Sequence, residues 1–235
     1  MTLLQPKTVF FFIAFVLLIF GAADNAFAES TISCHCFQDR SFDPGDRFAA
    51  DDYLLATSFN SLLAKSFDIS KKQVVMLKMD EGVSQDDLLV GLKVTRLTGG
   101  YLEQLLGLRR AGYTWSQIIS GMEQQDTINK DKLAKAIRVG MPVNEAGAGV
   151  ADEMIEDFYR VPAEEVKRFR AYGLNEKEMA LVFILAHFKD QKAETFVEQY
   201  KKQGSSWSQI AFNLGIEPAA AGKLILAYPA KQIDK

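Results

Sequence analysis

The stretches "LRRAGYTWSQI" (residues 108–118) and "YKKQGSSWSQI" (residues 200–210) both carry Trp-Ser-Gln-Ile behind a glycine and a hydroxyl residue. Each letter has a structural use. Gly112 and Gly204 suit the left-handed position that ends one helix. Thr114 and Ser206 suit the N-cap of the next, with Gln117 and Gln209 at the third helical position, the pattern of a capping box. Trp115, Ile118, Ile119 and Met122 then share a helical face, as do Trp207, Ile210 and Leu214. A tryptophan at helical spacing with apolar partners is expected in a core. Tyr113 and Ile118 would add a hydrophobic staple to the first copy alone, because Ser205 replaces the tyrosine in the second.

The match extends upstream. "MDEGVSQDDLLVGL" (79–92) aligns with "RAYGLNEKEMALVF" (170–183), setting Gly82 against Gly173, Ser84 against Asn175 and Asp87 against Glu178. Ser84 and Asn175 read as N-caps, and the acid three positions later complements the helix dipole. Apolar residues recur at three- and four-residue steps throughout, with no run of strand-like alternation. The spacing predicts helices near 48–66, 71–81, 85–97, 100–111, 115–122 and 129–139, then near 149–159, 163–172, 176–189, 193–203, 207–214 and 218–228. The expected fold is all-α, with two tandem related multi-helix units at 48–139 and 149–235. A linker at 140–148 is expected between them, because Gly140, Pro142, Gly147 and Gly149 interrupt a helix. Helix 176–189 is apolar from Met179 to Ala186, which predicts burial on all sides.

The chain opens with Lys7, an apolar run from Thr8 to Ala23, and Ala26-Phe27-Ala28. This is the form of a signal peptide at 1–28, cleaved after Ala28, and predicts a periplasmic or secreted product. Membrane association is expected only through an uncleaved signal segment. The net charge of −3 gives no electrostatic reason to expect nucleic acid.

An arm at 29–47 follows, carrying "SCHCFQDRSFDPGDRF". Asp43-Pro44-Gly45 predicts a turn. Cys34 and Cys36 are the two cysteines of the chain, with His35 between them. Three readings stand. In an oxidising compartment the thiols form a disulfide, within the arm or between chains. Alternatively Cys34, His35 and Cys36 hold Cu or Zn, although a structural zinc site needs a fourth ligand. In the third reading the thiols have no special role. His187, the other histidine, is expected to be a satisfied structural residue.

Residues 198–228, "EQYKKQGSSWSQIAFNLGIEPAAAGKLILAY", resemble a bacterial helix-turn-helix, a tri-helical corner. The resemblance implies a DNA-reading last helix, yet that helix carries only Lys223 as a charge. Its counterpart in the first unit carries Lys130, Lys132, Lys135 and Arg138, diluted by Asp131. Export also argues against a chromosomal target, so DNA binding ranks third.

No convergent catalytic set is visible, and no catalytic residue or cofactor is assigned. The leading expectation is an exported, non-enzymatic helical binding or scaffold protein of the cell envelope, with an unknown protein partner or self-association. A metal-handling or thiol-redox protein using the Cys34-His35-Cys36 arm is the alternative.

Overall fold

The computed structural model describes residues 37–80, 83–123 and 125–229, which fold as helices joined by short turns. In chain order these are α1 (Asp51–Phe67), α2 (Lys71–Met79), α3 (Gln85–Thr98), α4 (Leu102–Arg110), α5 (Trp115–Ser120), α6 (Gln125–Lys130) and α7 (Lys132–Arg138). They continue with α8 (Val143–Tyr159), α9 (Ala163–Ala171), α10 (Glu176–Lys189), α11 (Ala193–Lys201), α12 (Trp207–Asn213) and α13 (Pro218–Ala227). The chain is therefore all-α over the described residues. The predicted signal peptide lies outside them.

Helices α1 to α5 have 17, 9, 14, 9 and 6 residues, and α8 to α12 have 17, 9, 14, 9 and 7. Their starts pair as Asp51 with Val143, Lys71 with Ala163, Gln85 with Glu176, Leu102 with Ala193 and Trp115 with Trp207. The stops pair too. Asp68 and Arg160 take left-handed backbone (φ 54° and 57°) after the 17-residue helices, and Gly112 and Gly204 do so before α5 and α12. Below, "counterpart" means the residue at the same position of the paired helix.

Local sequence sets the helix starts. Ser84 accepts from the Asp87 amide, and Asn175 forms a full capping box with Glu178. Thr114 forms a full box with Gln117, whereas Ser206 accepts from the Gln209 amide without the reciprocal bond. The second box is thus only half made. The Ser206 hydroxyl donates instead to the Arg47 carbonyl, and Gln209 Oε1 is buried without a partner. Tyr113, the expected staple residue, lies half in water.

Two expectations about the middle of the chain are corrected. The linker at 140–148 is helical from Val143, and α8 runs unbroken through Gly147 and Gly149. Pro142 stands at the N-cap, where its missing N–H costs nothing. The two glycines are packing positions. A Cβ on Gly147 would collide with Asp86 of α3, and one on Gly149 would press on Leu133 of α7. Second, the helix expected at 129–139 is divided at Asp131, whose carboxylate caps α7 by accepting from the Ala134 amide.

The halves share one core. Helix α3 of the first packs on α8 of the second, and α10 of the second packs on α1 of the first. Likewise α13 covers α1 and α7 covers α8. The described residues accordingly belong to one compact unit. Met179 to Leu185 of α10 are all buried, the all-round burial that their composition predicts.

Candidate functional site

The tryptophans are core residues, 4% exposed at Trp115 and 1% at Trp207. Each indole N–H meets the acid at the third position of the long helix in its own half. Trp115 Nε1 donates to Asp87 Oδ1 at 2.8 Å, and Trp207 Nε1 donates to Glu178 Oε1 at 3.2 Å. The third partner differs. Arg109 donates to Asp87 Oδ1 at 2.7 Å and lies over the Trp115 ring, whereas Tyr200 stacks on Trp207 with centroids 4.2 Å apart. The second tryptophan is also tied to the start of the fold. Asp51 accepts from the Trp207 amide at 3.1 Å and from the Ser208 amide at 2.7 Å. Burial raises the Asp51 pKa, and its bonds to Ser208 and Trp207 oppose that rise. Trp115 and Trp207 thus lie in the core, while Thr114, Gln117, Ser206 and Gln209 stand at the starts of α5 and α12.

A polar chain joins the halves. Lys78 donates to Asn60 Oδ1 at 2.8 Å and to Gln85 Oε1 at 3.2 Å. Gln85 Nε2 donates to Glu176 Oε1 at 2.6 Å, and Arg170 donates to Glu176 Oε2 at 3.1 Å and to Asp152 Oδ1 at 2.9 Å. Asn60, Lys78 and Gln85 are the counterparts of Asp152, Arg170 and Glu176, so the Gln85–Glu176 bond joins two equivalent residues. The second half is ionic here, whereas in the first a lysine stands between two amides. Lys78 therefore has no ion-pair partner among the described residues, and burial lowers its pKa to about 7. Glu176 is held below its usual range: burial would raise it, but the bonds it accepts, including those from Arg170 and Gln85, outweigh that.

A cleft of about 680 Å³ lies between α2 and α4. Ile69, Leu77 and Leu102 form its apolar floor, and Met76 (58% exposed), Met79 (49%) and Tyr101 (74%) stand around it. Gln73, Asp80 and Glu103 supply its polar edge. Asp80 is paired with Arg110, while Glu103 has neither an ion pair nor a hydrogen bond among the described residues. Three large apolar side chains are thus left in water around one hollow.

Comparison with known proteins offers no template. No family model, no curated protein and no solved structure matches the chain. The chain itself supplies the nearest comparison.

In the second half a furrow of about 340 Å³ lies mainly against α10 and the turn that follows it, reaching Glu165, Lys192 and Glu194 at its edge. Arg168 and Lys192 occupy the places of Met76 and Tyr101, and Arg168, outside that furrow, pairs with Glu194 and joins α9 to α11. His187 lies beside this furrow, exposed, with its ring 4.4 Å from that of Tyr228. Its position is solvent-facing because α10 emerges from the core at its last turn, which corrects the expectation of a structural histidine. Cys34, His35 and Cys36, the candidate metal or disulfide residues, lie outside the described residues. Among the described residues no group of three or more His, Cys, Asp or Glu is arranged to hold a metal ion. Asp43 forms its expected turn by accepting from the Gly45 amide at 2.8 Å. Helix α13, in the place of a DNA-reading helix, packs against α1.

The sequence reading missed the cleft. Its signal was "VVMLKM" (74–79), which holds more apolar residues than one helical face can bury.

Proposed function

We propose that this chain is an exported, non-enzymatic helical binding protein of the cell envelope, and that the α2–α4 cleft is its recognition surface. One observation carries the reading: Met76, Met79 and Tyr101 are exposed around a hollow, whereas in the other half the counterparts of Met76 and Glu103, Arg168 and Glu194, are joined by an ion pair. We also propose that the two halves descend from one helical unit that first paired with a copy of itself. A contact between equivalent residues, such as Gln85 with Glu176, is what a self-complementary interface leaves behind after fusion. In that account the interior is common property, and function resides where the halves differ.

The test is site-specific photo-crosslinking in the cell of origin, with a photoreactive residue at position 76 or at position 168. Discrete adducts from position 76 and none from position 168 are expected. Equal yields from both positions would contradict a dedicated surface in the first half. Mass measurement of the exported product checks the leader, with cleavage after Ala28 expected.

A further inference from the structure

The second half shows what the cleft of the first half lacks. There, Arg168 of α9 reaches across to Glu194 at the first turn of α11. In the first half the carboxylate is retained as Glu103, but Met76 stands where the guanidinium would originate. Tyr101 likewise stands at the position of Lys192. Set against the second half, the cleft thus has the acid without either cation, and carries exposed apolar surface instead.

Resting on the cleft as recognition surface, we infer that its occupant is an amphipathic helix of a partner protein that lays an apolar face on Met76, Met79 and Tyr101 and brings an arginine or lysine to Glu103. A furrow walled by two helices accepts a third along its length, and methionines adapt to the side chains it presents. The incoming cation takes the part that Arg168 plays within the second half. The ion pair sets orientation and discrimination, and the apolar contact supplies most of the affinity.

Two model peptides of about 18 residues serve as probes, sharing one leucine face and differing in whether lysine or glutamate flanks it. Titrated by calorimetry against the full exported chain, the lysine peptide is expected to bind and the glutamate peptide to bind at least about tenfold more weakly. Glu103→Gln should weaken the lysine peptide by about two- to fivefold, as expected for an exposed pair. Met76→Arg, which rebuilds the second half's bridge in the first, should abolish binding. Equal binding of both peptides would overturn the assigned partner chemistry while leaving the cleft as a recognition surface. Binding of either peptide undiminished by Met76→Arg would overturn the cleft itself. Concentration-dependent self-association of the chain that Met76→Arg removes would assign the cleft to a second copy and likewise overturn the proposal.

Discussion

The two halves are alike inside and different outside. Both bury a tryptophan whose N–H bonds to an acid at the start of the long helix, both close their 17-residue helices with a non-glycine left-handed residue, and each lends that long helix to the other. Where they differ, the differences come in matched sets. Gly91 faces Leu102 in the first half, and their counterparts are Val182 and Ala193, so bulk has moved from one helix to the other across the same contact. The chain Asn60–Lys78–Gln85 stands opposite the ionic chain Asp152–Arg170–Glu176. The Met76 cleft stands opposite the Arg168 bridge. The Gly91–Leu102 difference is an exchange of volume, whereas the α2–α4 edge replaces an ion pair by exposed apolar side chains.

The comparison can be broken most forcefully at its shared centre. Trp207→Ala should cost about 3–5 kcal/mol of unfolding free energy, and Trp115→Ala somewhat less, because Arg109 and solvent can adjust at the less buried site. Chemical denaturation measures both, and an unchanged midpoint in either variant contradicts a core role.

Next comes the exchange of bulk. Gly91→Val alone should destabilise by about 1–3 kcal/mol, since even a Cβ would sit 2.9 Å from Leu102 and 3.3 Å from the Trp115 ring. Adding Leu102→Ala, which copies the second half, should recover at least about 1 kcal/mol of that loss. Strict additivity in the double-mutant cycle would mean that the two contacts are not equivalent.

The polar chain makes a pH prediction. The pKa of Lys78 is lowered on folding, so between about pH 7 and pH 9 the unfolded chain binds the extra proton and stability rises with pH. That contribution reaches at most about 1.4 kcal/mol per pH unit and is absent below the folded value near 7. Lys78→Met should remove this slope and leave the protein no less stable at pH 6 than the wild type. The difference between the two denaturation profiles isolates the lysine from other groups, and parallel profiles would contradict a lysine held neutral.

The smallest effect belongs to the cleft. Met76→Arg should change stability by less than about 0.5 kcal/mol and Arg168→Met by less than about 1 kcal/mol, because both side chains are largely in water. A large loss in either variant would make the edge structural.

Much of the fold was legible in the sequence, because local chemistry marks helix ends strongly. Ser84, Thr114 and Asn175 cap the helices that their side chains predict, and Gly112 and Gly204 take the left-handed backbone. The failures share a cause in tertiary packing. Gly147 and Gly149 resemble breakers, yet they allow α8 to lie close to Asp86 and Leu133, contacts distant in sequence. Pairing of α3 with α8 and of α10 with α1 carries no local mark either, so the halves read as consecutive units rather than as a shared core. The candidate site was the least legible part. Periodicity identifies the apolar residues of α2 but does not say which of them a neighbour covers, and Glu103 gains meaning only beside the Arg168–Glu194 pair.

The central claim is that one tryptophan–acid core is used twice. Because the chain has two tryptophans, a proton–nitrogen spectrum of the folded protein holds two indole N–H signals, and their exchange with D₂O reads both cores at once. The account predicts that both signals persist, exchanging as slowly as the most protected backbone amides. Loss of either within the first minutes, at the rate of a free indole, would contradict it.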